Sequence, residues 1–146
     1  MRKDDSDERL YFSICATFLG RMGLYGDVYD LNDHQWELLD EGISFYHKAA
    51  DIIKNGKTTH INADTDSYND PTGSQLVIRE YAGKALIVYH RFRDSLPLEE
   101  YAKLHGIELP KEKTVNRADE TTFGMGALVY GRADKDFSAC AVIISV

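Results

Sequence analysis

The acidic segment DTDSYND, residues 64–70, is a first candidate for chemistry, because clustered side-chain oxygens are the ligands that calcium prefers. The side chains that could offer such oxygens are Asp64, Asp66, Asn69 and Asp70. The spacing departs from a calcium loop, since Tyr68 stands where a third ligand is expected and no glycine or closing glutamate follows in register. The segment is therefore interpreted as a solvated loop, and no metal site is predicted.

The histidines and cysteines also lack the spacing of a metal centre. No two histidines form a pair such as HxxxH among His34, His47, His60, His90 and His105. Cys15 and Cys140 stand alone, which favours reduced, buried thiols and a cytoplasmic protein. A glycine-rich phosphate loop and a GxSxG motif are both missing from the sequence. We therefore expect no bound cofactor.

Four aromatic residues in the second half of the chain could stack against a sugar, because the CH groups of a pyranose pack on aromatic faces. They are Tyr81, Tyr89, Phe92 and Tyr101. Aromatic residues scattered over strands more often fill a core or form cross-strand pairs, and that interpretation is favoured here.

Charge and composition exclude several classes of partner. The chain has 146 residues, a formal net charge of −7 and 43% apolar residues, which suits one ordinary globular fold. The negative charge disfavours nucleic acid and anionic membrane surfaces as partners, whereas a neutral ligand such as a sugar is compatible with it. The charged start MRKDDSDERL and the absence of a long apolar run predict neither a signal peptide nor a membrane span.

The first 31 residues are predicted to hold one helix and one short extended segment. Apolar residues recur at helical spacing over residues 9–22, and Gly23 is expected to end that helix. The following stretch GLYGDVYDL, residues 23–31, suits a short strand or an extended turn.

A second helix is marked at both ends. Asn32 is a good N-cap with Gln35 three residues later, as in a capping box, and Leu31 can pack on Trp36 as a hydrophobic staple. Asn55-Gly56 is expected to stop the helix after Lys54. The apolar stripe is predicted to contain Trp36, Leu39, Ile43, Tyr46, Ala50 and Ile53, widened by Leu38, Phe45 and Ile52.

Beyond Gly56 the apolar period changes from 3.6 to 2, which predicts antiparallel strands. The expected strands cover residues 57–62, 75–81, 84–92, 113–117, 126–132 and 137–146, with a hairpin turn at Ala82-Gly83 and a short helix over 96–106. The predicted fold class is α+β: an N-terminal helical segment, residues 1–56, followed by an antiparallel, β-sandwich-like domain, residues 57–146.

The stretch FLGRMGLYGDVYDLNDHQWELLDEGISFYHKAADIIKNG, residues 18–56, resembles the last part of the catalytic barrel in α-galactosidases of the melibiase type. In that family the final barrel strand carries a Gly-Asp like Gly26-Asp27, and a capped helix follows. The helix leads into a C-terminal antiparallel β-domain through a YxK…I…G pattern like Tyr46, Lys48, Ile53 and Gly56. The resemblance implies that this chain corresponds to the end of the barrel and the C-terminal domain.

The resemblance also implies that the chain by itself is not catalytic. Retaining glycosidases use two carboxylates about 5 Å apart. In this family both lie on earlier barrel strands, and no stretch of the chain matches those segments. No catalytic residue is therefore assigned. Asp27, at the end of the presumed last barrel strand, is the candidate for bordering a galactoside pocket in the intact enzyme, and its alternative role is to form a turn or orient the helix.

Three functions follow from these observations. The first is a non-catalytic portion of an α-galactosidase-like glycoside hydrolase, whose β-domain packs on the barrel and stabilises it. The second is a stand-alone carbohydrate-binding module. The third is an interaction protein that forms a homodimer through its N-terminal helices, because part of their apolar surface would stay uncovered without a complete barrel.

Overall fold

The computed structural model describes residues 1–63, 69–109 and 128–146. Their helices and strands, in chain order, are α1 (Asp7–Thr17), α2 (Asp33–Asn55), β1 (Lys57–Ala63), β2 (Ser74–Tyr81), β3 (Lys84–Arg91), α3 (Leu98–Leu104), β4 (Leu128–Arg132) and β5 (Ser138–Ser145). A 3₁₀ turn at Val28–Asp30 precedes α2. The predicted α+β class with an antiparallel sheet is confirmed. The strand expected at 113–117 lies outside the described residues.

Helix α1 begins at a cap and ends earlier than its apolar pattern suggests. The Ser6 side chain caps its N-terminus by accepting a hydrogen bond from the Arg9 N–H. The helix ends at Thr17, so the prediction that it continues to residue 22 is wrong. The N–H groups of Phe18, Leu19 and Gly20 each donate to the carbonyl three residues earlier. The last turn therefore tightens to 3₁₀ geometry, from which the chain leaves the helix.

The connection between α1 and α2 contains an extended turn and no strand. Of the two alternatives for residues 23–31, the turn is observed. The Met1 amine donates to the Tyr25 carbonyl at 3.0 Å, and the Asp27 N–H donates to the Met1 carbonyl at 3.0 Å. Between them Gly26 has φ 108°, a conformation that favours glycine. These backbone contacts hold the middle of the connection in one place.

Helix α2 has the predicted capping box. The Asn32 side chain accepts from the Gln35 N–H at 2.9 Å, and the Gln35 side chain accepts from the Asn32 N–H at 3.0 Å. The Gln35 amide also donates to the carbonyls of Lys3 and Asp5, which ties the N-terminal residues to α2. At the other end the helix continues through Asn55, one residue beyond the predicted end, and Gly56 is the C-cap.

The buried face of α2 differs from the predicted stripe. Its buried residues are Gln35, Leu38, Leu39, Gly42, Phe45, Ala49 and Ile52. Leu38, Phe45 and Ile52, which the prediction placed beside the main stripe, thus lie in the core. Trp36, the first residue of the predicted stripe, is instead 41% exposed. Gly42 lets α1 approach closely, because a Cβ at this position would lie 2.6 Å from the Ile14 side chain.

The five described strands form one antiparallel sheet in the order β1-β2-β3-β5-β4. Strands β2 and β3 are joined by the predicted two-residue turn, in which Ala82 and Gly83 have φ values of 52° and 73°. Two consecutive positive φ values are typical of a type I′ turn, whose twist matches that of the strands. The predicted strands at 57–62, 75–81 and 84–92 are confirmed to within one residue at each end.

Both faces of the sheet are covered by helices. Residues such as Leu86, Val88 and Ala141 pack with α1 and α2, and alternate residues pack with Leu98 and Tyr101 of α3. In the described part of the chain, the layers that pack on the two faces of the sheet are therefore helices and not a second sheet. The predicted boundary at Gly56 falls at the junction of α2 and β1, and one hydrophobic cluster contains side chains from both sides of it.

Candidate functional site

Asp27, the one residue predicted to border a substrate pocket, lies on the surface beside the 3₁₀ turn. Its carbonyl accepts a hydrogen bond from the Asp30 N–H at 2.9 Å, and its own N–H is bonded to Met1. None of the described strands ends at Gly26-Asp27, since this dipeptide lies in a bend. The backbone of Asp27 is thus part of a turn ahead of α2.

The four aromatic residues considered as a sugar platform do not share a surface. Tyr89 and Tyr101 are fully buried, with ring centroids 5.5 Å apart, between the sheet and α3. The Tyr89 hydroxyl donates to the Leu96 carbonyl at 2.7 Å and accepts from Ser74 at 2.6 Å. Phe92 instead contacts Phe12 on the other side of the sheet, with ring centroids 5.5 Å apart. The core interpretation is therefore correct for Tyr89 and Tyr101.

The acidic segment 64–70 shows a structural contact at its described end. Asp70 accepts a hydrogen bond from the Arg93 guanidinium at 2.6 Å, and this contact raises the pKa of Arg93. Asp64 and Asp66 lie outside the described residues. Within residues 1–63, 69–109 and 128–146, no three His, Cys, Asp or Glu side chains are grouped closely enough to hold a metal ion.

The histidines have separate environments. His34 is exposed and lies 3.0 Å from the Asp7 carboxylate, which raises its pKa. His90 is buried beneath α1, and burial lowers its pKa to about 4. His47 and His105 are exposed in other parts of the fold. No two of these four histidines therefore share a site.

Both cysteines are free thiols, as predicted, but only Cys15 is buried as expected, whereas Cys140 is partly exposed. Cys15 lies in α1 and is buried, and Cys140 lies in β5. Burial raises the pKa of Cys15 well above its usual value and that of Cys140 to about 12. A thiol is nucleophilic only as the thiolate, so neither residue is suited to covalent catalysis.

A groove of about 380 Å³ lies between β1, β2 and the segment that follows α3. Its lining residues are Thr59, Ile78, Glu80, His105, Gly106, Ile107 and Glu108. The His105 ring packs on Tyr101, with centroids 4.3 Å apart, so its position is set by the core. The groove is mainly polar, with two carboxylates and a histidine beside Ile78 and Ile107, and it is separate from the surface described next.

Residues 24–41, which run from the connection after α1 into the first turns of α2, carry a second group of exposed side chains, and we call this exposed part of the chain the 24–41 surface. It contains half of the large hydrophobic residues that the described structure leaves exposed: Leu24 at 42%, Tyr25 at 91%, Tyr29 at 100% and Trp36 at 41%. Large aromatic side chains are usually covered on folding, so such exposure on a short segment is informative.

The segment that carries these aromatics is anchored. Met22 and Val28 pack against the core formed by α1, α2 and the sheet, and Leu31 is buried in it. The backbone at Tyr25 and Asp27 is bonded to Met1. Tyr25 and Tyr29 therefore project from a supported backbone.

The 24–41 surface also carries almost all of the net charge of the chain. Its 18 residues include six acidic side chains and no lysine or arginine: Asp27, Asp30, Asp33, Glu37, Asp40 and Glu41. The other 128 residues have 18 acidic and 17 basic side chains, so they are close to neutral. All six acidic residues are exposed. The interpretation of the sequence missed this segregation, which a count of charge over short windows would have found.

None of the helices in the described part of the chain is long and apolar enough to cross a membrane. Comparison of the chain with known protein families, with curated proteins and with solved structures finds no match.

Proposed function

We propose that this chain is a protein-binding domain that carries out no reaction itself, and that its partner binds at the 24–41 surface. The observation that carries this proposal is the exposure of Tyr25 and Tyr29 on an anchored backbone. The third function considered from the sequence, an interaction protein, is thus retained with a different surface.

The physical reason is the high binding energy that aromatic side chains supply at protein interfaces. Tyrosine and tryptophan are enriched among the residues that dominate binding, because each buries a large area and has few rotamers to lose. A supported backbone lowers the entropic cost of association further, since the loop need not be ordered on binding. Tyr25, Tyr29 and Trp36 meet these conditions better than the groove beside β1 and β2 does.

The chemistry of the other candidate groups supports a non-catalytic role. The thiols of Cys15 and Cys140 have raised pKa values, and His90 is enclosed by Phe12 and the sheet. A cytoplasmic setting, in which the two cysteines stay reduced, is part of the proposal.

The relationship to α-galactosidases stays a prediction. The order of elements, with a capped helix followed by antiparallel strands, agrees with it, whereas the bend at Gly26-Asp27 offers no equivalent of the final barrel strand. Galactoside binding therefore rests on the resemblance alone. The experiment for it is a titration of the chain with galactose and an aryl α-galactoside, and saturable binding that Asp27→Ala removes would favour the glycosidase interpretation.

The homodimer expected from the sequence is the less favoured alternative, because strands of the sheet pack on the apolar faces of α1 and α2. Their buried residues share one cluster with strands β3, β4 and β5. We therefore expect light scattering over a concentration series to give the mass of a monomer. A dimer that Gly42 or Leu39 variants disrupt while the fold persists would favour the helix-mediated alternative.

The main proposal is tested by site-specific crosslinking. The full chain is produced, in the cells that express it, with the photo-reactive amino acid p-benzoylphenylalanine at position 29. The control chain carries it at position 81, where Tyr81 is also exposed but lies at the β2–β3 hairpin. We expect one protein adduct from position 29 and none from position 81.

Competition makes the result specific. Added wild-type chain should suppress the adduct, and a Tyr25→Ser/Tyr29→Ser chain should not. Equal adducts from both positions, or equal competition by the double variant, would contradict a binding surface at 24–41.

A further inference from the structure

We infer that the partner of the 24–41 surface is a basic protein, which presents arginine and lysine side chains to the exposed aromatics. This inference rests on the proposed function and names the chemistry of the partner. It is carried by the coincidence of the exposed tyrosines with six carboxylates and no lysine or arginine; His34, the one histidine of the surface, lies 3.0 Å from the Asp7 carboxylate.

The arrangement around Trp36 fits an arginine in particular. In a helix, residues three or four positions apart are neighbours on the surface, so Asp33 and Asp40 flank Trp36 on α2. A guanidinium can stack on an indole face while its N–H groups donate to a nearby carboxylate. Trp36, Asp33 and Asp40 thus supply both contacts that an arginine makes.

The spread of the carboxylates favours a partner surface over a small cation. The acidic positions of α2 extend from Asp33 to Glu41, which at 1.5 Å per residue is about 12 Å of helix. Asp27 and Asp30 add charge on the preceding turn. Ligands of one metal ion must converge within a few ångströms, whereas a line of carboxylates faces a line of basic side chains.

Charge also excludes other macromolecular occupants. Nucleic acid and anionic lipid would be repelled by this surface. A second copy of the chain in a two-fold arrangement would bring the same six carboxylates against each other, which is unfavourable. A basic protein is the occupant that these charges complement.

The test uses two synthetic peptides of equal length as probes, one alternating arginine with leucine and the other alternating glutamine with leucine. Each is titrated into the ¹⁵N-labelled full chain, and chemical-shift changes give the site and the Kd. We expect the arginine peptide to shift residues 24–41 and the glutamine peptide to bind at least about tenfold more weakly. Raising the salt from about 50 to 200 mM should weaken the arginine peptide severalfold, because exposed charges are screened.

Matched variants assign the effect to this surface. Asp33→Asn/Asp40→Asn should weaken the arginine peptide at least about fivefold, in line with the loss of two charge pairs. The control Glu99→Gln/Glu100→Gln removes two exposed carboxylates from the first turn of α3 and should change the Kd less than about twofold.

Three results would overturn the inference: tight binding of both peptides, shifts centred outside residues 24–41, or equal effects of the two variant pairs. If the glutamine peptide binds residues 24–41 as well as the arginine peptide does, the proposed function stands and only the basic partner is wrong. The crosslinking at position 29 tests the proposed function separately.

Discussion

His90 should make the stability of this protein fall as the pH is lowered from neutral. Its side chain lies under α1 and is only 3% exposed. The Nε2 atom lies 3.3 Å from the Phe12 carbonyl, and because a carbonyl only accepts, Nε2 carries a hydrogen and donates. Among the described residues the Nδ1 atom has no hydrogen-bond partner. A proton added there would place a charge in an apolar environment.

The size of the effect follows from the pKa of His90, which burial lowers from 6.5 to about 4 even though the Phe12 carbonyl favours the charged form. Unfolding restores the ordinary value, so the unfolded chain binds more protons between these two values. The stabilisation is therefore complete above about pH 6.5 and is lost as the pH falls towards 4. At 1.36 kcal/mol per unit the full loss is about 3 kcal/mol, of which about 2 kcal/mol is lost by pH 5.

Urea unfolding followed by circular dichroism at about pH 7.5, 6 and 5 measures this loss. The matched variant is His90→Gln, whose amide can still donate to the Phe12 carbonyl but does not titrate. Between pH 7.5 and 5, the free energy of unfolding of the wild type should fall by about 2 kcal/mol more than that of the variant. His34, whose raised pKa acts in the opposite direction, is present in both chains and cancels in the comparison. Parallel pH profiles for the two chains would refute the reasoning.

Three further substitutions test the local structure by urea unfolding. Asn32→Ala removes the acceptor of the capping box and should cost about 1 kcal/mol, and no change would mean that the cap is unimportant. Gly83→Ala should cost about 1 kcal/mol although a Cβ has room there, because φ is 73°. Its control, Gly23→Ala, also has room and should be nearly neutral, so equal losses would contradict the assigned turn. Gly42→Ala should lower the midpoint because the new methyl group would overlap Ile14, and a higher midpoint would mean that α1 moves away at little cost.

The features that the sequence determined are those set by neighbouring residues. The capping box of Asn32 and Gln35 and the turn at Ala82-Gly83 need only a few consecutive residues, and both are observed where they were predicted. The alternation of apolar residues likewise located β2, β3 and β5. In each case a local hydrogen bond, a backbone preference or a two-residue period determines the result.

The burial of α2 depended on the tertiary structure. Its apolar residues cover more than half of the helix circumference, so periodicity alone allowed more than one inward face. Packing against α1 and the sheet selected Leu38, Phe45 and Ala49 and left Trp36 at the edge. The end of α1 at Thr17 was set in the same way, since the residues that follow it are apolar enough to continue a helix but turn to pack on the core.

The candidate site shows the same division. The sequence alone shows that residues 24–41 contain six acidic residues and lack lysine and arginine. The sequence could not show that Tyr25 and Tyr29 are exposed whereas Tyr89 and Tyr101 are buried, because tyrosine suits either environment. That difference arises because Met1, Val28 and Leu31 fix the connection before α2 with its aromatic rings outward, and α3 closes over Tyr89. Charge is a property of composition, whereas exposure depends on which parts of the chain meet.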